Sequence, residues 1–155
     1  MTGHQFPPFS YVEQDYPVFL PLLHADSSRR RAEAALRVLV VDDDIRIADT
    51  IVEVLQQAGF EAQAAYTGES ALQAAASYRP DCLLTDVLMS GMNGVELAVN
   101  FREQHPNARI VLISGQVGVS EVIEDAEQRG LHFQLLPKPI HPRILIQELR
   151  KRSES

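Results

Sequence analysis

The sequence predicts an α/β fold: a parallel five-stranded sheet with helices on both faces. Three observations carry this. Short apolar runs alternate with amphipathic stretches along residues 36–152. The connections between them are brief, as in a sheet whose parallel strands are joined by helices packed on both sides, with right-handed crossovers. The apolar runs also end in chemistry: acids after the first and third, a hydroxyl after the fourth, an ammonium after the fifth.

The first strand is read from Leu36 to Val41, cut off by Asp42, Asp43 and Asp44. A β-branched and leucine-rich run ended by charge is a buried strand that delivers side chains to the carboxyl edge of a sheet. Two carboxylates about 4 Å apart cost about 1 kcal/mol in water and about 4 kcal/mol at an effective dielectric of 20. Such a cluster calls for a cation, or for one acid to turn outward. Asp44 is read as the N-cap of a helix carrying Ile47, Ala48, Ile51, Val52, Leu55 and Ala58, with Gly59 just past its end.

Phe60 to Tyr66 gives a weaker second strand. Thr67 caps a second helix with Ala71, Leu72, Ala75 and Tyr78, has Glu69 in its first turn, and is closed by Pro80. Asp81 to Asp86 is the third strand. A loop from Val87 to Asn93 follows, with Gly91 and Gly94 as turn signals. The third helix holds Val95, Leu97, Ala98 and Phe101 and ends before Pro106. Arg109 to Ser114 is the fourth strand. The fourth helix, Ser120 to Arg129, sets Val122, Ile123 and Ala126 against a solvated acidic face, and Gly130 ends it. His132 to Pro137 is the fifth strand; Pro137 cannot donate to a ladder and belongs at a sheet edge. The last helix starts at Pro142 and runs to about Arg152.

At 155 residues the chain holds one ordinary domain with an arm. The N-terminal stretch scatters aromatic residues among prolines, with neither helical nor strand period in residues 1–26. Residues 1–35 are expected to be a disordered or loosely attached arm, or leader sequence from an early start codon, in preference to a docking segment. A net charge of −7 argues against nonspecific binding to nucleic acid or an anionic membrane. Nothing approaches a membrane span or a signal peptide, and the one cysteine, Cys82, is read as a small buried hydrophobe; a cytoplasmic location is expected. The five histidines show no metal-ligand spacing and are read as incidental.

Ligands of open parallel sheets sit outside the carboxyl ends of the strands, where strand order reverses. Asp42, Asp43, Asp86, Ser114 and Lys138 all fall there. The acids are hard oxygen ligands suited to Mg²⁺ or Mn²⁺. An aspartate oxygen can attack a phosphoryl group to give an acyl phosphate, with a cation offsetting the gathered charge. A hydroxyl and an ammonium opposite can hold the remaining phosphoryl oxygens.

Residues 36–152 resemble the receiver domain of two-component response regulators, through Val-Leu-Val-Val-Asp-Asp-Asp at 38–44, Leu-Leu-Thr-Asp-Val-Leu-Met-Ser-Gly-Met-Asn-Gly at 83–94, Ile-Ser-Gly at 113–115 and Pro-Lys-Pro at 137–139. The resemblance implies a flavodoxin-like sheet in the order 2-1-3-4-5. It implies Asp86 as phosphoacceptor, Asp43 as a direct Mg²⁺ ligand, Asp42 as one acting mainly through water, and the backbone carbonyl of Leu88 as another. It makes Ser114 and Lys138 the residues that grip the phosphoryl group, and the Lys138–Pro139 peptide cis. The partners implied are a sensor histidine kinase or phosphotransfer protein and a downstream protein target, with no direct nucleic-acid contact, no membrane insertion, no output domain and no enzymatic turnover.

Several positions stand out against the family pattern. Ser90 replaces a common proline. Leu135 replaces the aromatic half of a hydroxyl–aromatic switch and is expected to fill an apolar pocket. Leu88 and Gln116 occupy the two variable positions beside the site, and an apolar Leu88 orients no water, so phosphate loss is expected to be slow. Two other readings rank behind. A haloacid dehalogenase-type phosphohydrolase would use Asp42 and Asp44 in an Asp-x-Asp-x-Thr pattern, but Arg46 stands at the Thr position. A receiver fold kept only for binding would not need all five site residues.

Overall fold

The computed structural model describes residues 36–115 and 119–151. The arm at 1–35, Gln116 and the expected helix end at Arg152 lie outside the described residues. Ten elements alternate strictly: β1 (Arg37–Val41), α1 (Ile45–Gln57), β2 (Glu61–Ala65), α2 (Gly68–Tyr78), β3 (Cys82–Asp86), α3 (Gly94–Gln104), β4 (Arg109–Ser114), α4 (Val119–Gln128), β5 (Gln134–Pro137) and α5 (Pro142–Arg150). All strand pairs are parallel and the order is β2-β1-β3-β4-β5, as expected.

The period of two along the strands sorts the core into two layers. Val38, Val40, Leu84, Val111 and Ile113 face α1 and α5, meeting Ala48, Leu55, Leu145 and Leu149. Leu39, Val41, Leu83, Ile110 and Leu112 face α2, α3 and α4, meeting Ala71, Ala75, Leu97 and Phe101. β3 is buried along its whole length, as the middle strand of a doubly covered sheet must be. Strand order reverses between β1 and β3, so their carboxyl ends flank the crevice.

Local chemistry sets the boundaries. The Asp44 carboxylate accepts from the N–H groups of Arg46 and Ile47 and caps α1, while Gly59 follows it at φ 99°. Thr67 and Ser70 form a reciprocal capping box at α2, and Asn93 and Glu96 form one at α3. Arg79 closes α2 in the left-handed region (φ 52°), a conformation that costs a non-glycine residue energy. His141 is not incidental: its Nδ1 accepts from the Arg143 N–H at 3.1 Å and caps α5. His105 likewise ends α3 and stacks on Phe101, ring centroids 4.6 Å apart.

Some expectations need correction. Gly94 is no turn residue but the first residue of α3; a Cβ on it would overlap the Asp86 carbonyl oxygen, so close approach of backbone is the reason for glycine. Gly91, at φ 75°, does turn the chain. β5 begins at Gln134, two residues later than expected, α4 is displaced by one residue, and α5 closes at Arg150 with Lys151 as its cap. Leu135 does not fill a pocket: it is 39% exposed, because β5 is the edge strand and its side on the α4 layer is only partly covered.

Candidate functional site

Four strand ends border the site. Asp42 follows β1 and is tied to β2 by its N–H to the Ala65 carbonyl. It is 2% exposed. Its Oδ1 accepts from the Asp44 N–H at 2.9 Å and its Oδ2 from Lys138 Nζ at 3.3 Å. Asp86 closes β3, is also buried, and accepts from the same Nζ at 3.0 Å through Oδ2. Asp43 is exposed, and its Oδ2 accepts from both the N–H (3.0 Å) and the hydroxyl (3.3 Å) of Ser90.

Lys138 reaches the acids because β5 pairs with β4 in a register that sets Pro137 beside Ser114, and the Lys138 N–H then donates to the Ser114 carbonyl at 2.8 Å. The next peptide, Lys138–Pro139, is cis, as the resemblance implied. Ser114 ends β4 one residue past Ile113, the register partner of Asp86. Leu88 lies in the loop two residues beyond Asp86, with its side chain exposed.

The electrostatics follow from burial. Burial pushes the Asp42 carboxyl above its ordinary value; the Asp44 N–H and the Lys138 charge oppose this, and the Asp86 charge reinforces it. Burial alone would lower the Lys138 ammonium, but the hydrogen bond and charge of Asp86, joined by Asp42, hold it above its ordinary value. An acid raised while its cation partner is also raised is consistent: one cation is shared by two carboxylates and fully satisfies neither.

Carboxylate oxygens of Asp42, Asp43 and Asp86 lie within 4.8 Å of one another. Opposite oxygens around Mg²⁺ stand about 4.2 Å apart, twice the metal–oxygen distance. The spread therefore fits one hard divalent cation, with one acid shifting slightly or bound through water. Beside the site, between α1 and α5, runs a groove of about 950 Å³ lined by Ile47, Ile51, Val54, Ile113, Ile140 and Leu145, with Lys138 and Asp44 also lining it.

The structure thus gathers Asp42, Asp43, Asp86 and Lys138, and puts Ser114 and Leu88 at the same edge. The sequence reading missed two contributors. Ser90 acts partly through a backbone N–H, which no side-chain pattern reveals. Thr85, buried beside the phosphoacceptor candidate, donates its hydroxyl to the Asp86 carbonyl; its strand position next to an acid was the available signal.

A doubly wound sheet with an acid cluster and a lysine at its switch point defines a class of phosphoryl-transfer and signalling modules. Residues 38–150 match the response regulator receiver domain, and the chain belongs to that family. It is 39% identical over 110 residues to a response regulator receiver protein of Anaeromyxobacter sp. (strain Fw109-5), covering 70% of this chain and 45% of the relative. It is 31% identical over 116 residues to the DNA-binding response regulator MtrA of Mycobacterium tuberculosis, covering 75% and 50%. Among solved structures it resembles the Vibrio cholerae chemotaxis protein CheY4, with a TM-score of 0.65, 31% identity, and coverage of 75% of this chain and 97% of that one. The chain spans about half the length of these two curated relatives. Receiver domains of this family are signalling modules that bind Mg²⁺ in an acidic pocket and exchange signals with histidine kinases or phosphotransfer proteins and with downstream targets. No helix among the described residues is long and apolar enough to cross a membrane.

Proposed function

We propose that this receiver works as a phosphorylation switch with Asp86 as its phosphoacceptor. The observation that carries the reading is the position of Lys138 Nζ, within hydrogen-bond reach of Asp86 and Asp42 while three carboxylates crowd the same few ångströms. Both oxygens of Asp42 are engaged by protein donors, whereas Oδ1 of Asp86 accepts no hydrogen bond among the described residues. That oxygen attacks the phosphorus of a phosphohistidine or small acyl phosphate. A bond from Oδ1 to phosphorus forms, the bond to the leaving group breaks, and the leaving group departs with the electron pair. Lys138 then pairs with the phosphoryl oxygens and Ser114 donates its hydroxyl to one of them.

Asp43 would hold Mg²⁺ or Mn²⁺ directly, Asp42 mainly through water, with Asp86 and the Leu88 carbonyl completing the protein ligands; bound there, the cation offsets the negative charge of carboxylate and phosphoryl group. The donor is a sensor histidine kinase or phosphotransfer protein. The readout is a two-state surface on α4, β5 and α5 that a downstream protein recognises. Leu135 on β5 and Ile144 on α5, exposed at 39% and 49%, give that surface apolar contact points. The phosphoryl group biases the surface only by its differential interaction with the two states.

The test is incubation with acetyl phosphate and Mg²⁺, read by intact-protein and peptide mass spectrometry. Wild type gains one phosphoryl on Asp86, and Asp86→Asn gains none. Label on Asp42, or sustained hydrolysis of phosphate monoesters, would instead support the hydrolase reading.

A further inference from the structure

The loop between β3 and α3 reaches back through Ser90 to Asp43, just past the end of β1. Ser90 gives two hydrogen bonds to one oxygen, Oδ2 of Asp43, one from its backbone and one from its hydroxyl. Asp43 is exposed, and a carboxylate on a solvated corner turns broadly about its last torsion. The two bonds fix that torsion and leave Oδ1 without a protein donor among the described residues. The same loop carries Leu88, and Ser90 lies four residues after Asp86.

We propose that Ser90 is a positioning residue for the divalent cation: it holds Asp43 so that its remaining oxygen faces the space shared with Asp42 and Asp86. This rests on the reading of those three acids as the metal site. Hydrogen-bond partners of ligating carboxylates set ligand orientation, and removing them typically costs 10- to 100-fold in metal affinity. A proline at this place would have neither donor, since it lacks both N–H and hydroxyl. Gly91, at φ 75°, makes the corner one that accepts proline at the position before it. The chain therefore has a built-in two-step series. Ser90→Ala removes one bond to Asp43, and Ser90→Pro removes both.

The experiment measures Mn²⁺ binding to the full chain, with free Mn²⁺ read by electron paramagnetic resonance, alongside the melting temperature of the metal-free protein. Wild type binds tightest, Ser90→Ala a few-fold more weakly, and Ser90→Pro on the order of tenfold more weakly, with metal-free melting unchanged. In an Asp43→Ala background neither Ser90 change has a further effect, because the partner is gone. Should Ser90→Pro melt early, the Ser90→Ala comparison and its disappearance in the Asp43→Ala background carry the test. Equal Mn²⁺ affinity in wild type, Ser90→Ala and Ser90→Pro, with Asp43→Ala clearly weakened, overturns the role of Ser90 alone. Unchanged affinity in Asp43→Ala overturns the metal site itself, and this inference with it.

Discussion

Gly94 stands so close to Asp86 that a Cβ on it would overlap the Asp86 carbonyl oxygen and come within 2.9 Å of the Val87 Cα. The first turn of α3 is thereby packed directly on the backbone that presents the phosphoacceptor candidate. In an ordinary helix, glycine to alanine stabilises by roughly 0.5–1 kcal/mol. Here the sign reverses. Gly94→Ala is expected to destabilise by about 1–3 kcal/mol, since backbone atoms cannot step aside as side chains do. Urea denaturation of wild type and Gly94→Ala measures it.

Among the described residues, Lys138 is the one cation shared by Asp42 and Asp86. Lys138→Met leaves two buried carboxylates uncompensated and is expected to cost about 1–3 kcal/mol in chelator, short of the usual 3–5 for a buried pair because the lysine is partly solvated. Mg²⁺ then raises the melting temperature of the variant more than that of wild type. At the alkaline end, the raised ammonium contributes in full below the unfolded value of about 10.4 and loses its contribution only as pH climbs through the higher folded value. The stability difference between wild type and Lys138→Met should therefore persist to pH 10 and shrink beyond it.

Asp42 carries the opposite sign. Its folded pKa is raised, chiefly by burial, so the fold binds this proton more readily than the unfolded chain. Ionised Asp42 subtracts from stability above its folded pKa, and that cost fades as pH falls. A divalent cation competes with the same proton. The Mg²⁺-dependent gain in melting temperature is expected to decline, on acidification, before the ordinary aspartate value of 3.8 is approached. Thermal melts with and without Mg²⁺ from pH 8 downward locate the decline.

Leu88 offers no polar group to orient water at the acyl phosphate, so the phosphorylated protein should persist well beyond seconds. Leu88→Asn supplies a donor and acceptor and is expected to speed phosphate release by roughly tenfold. Release of inorganic phosphate after removal of the donor measures both rates.

Cys82 is buried in the layer beneath α1 and α5, and burial pushes its thiol up to about 12. The native protein should resist thiol alkylation at pH 8 and react only on unfolding. Labelling with and without urea, read by mass, checks this.

Much of this site was legible in the sequence because its acids and its lysine sit where apolar strands stop. Asp42, Asp43 and Asp86 follow runs of buried residues, and Lys138 lies between two prolines at an edge strand. The period of two and the helical stripes then fix which face each strand residue serves. What escaped was carried by backbone. The N–H of Ser90 has no letter in the sequence, and glycine at 94 reads as a turn unless the approach of Asp86 is known. Leu135 escaped for another reason: its neighbours predict apolarity, but whether an edge strand is covered depends on the helix laid beside it.

The bond between Lys138 and Asp42 joins positions 96 apart in the chain. Bringing such distant segments together costs loop entropy that only the assembled sheet repays. A half-folded chain that lacks β5 presents its acids naked, repelling one another. The ammonium arrives only when the last strand docks, so the charge-balanced form of this corner comes with completion of the fold and not before it.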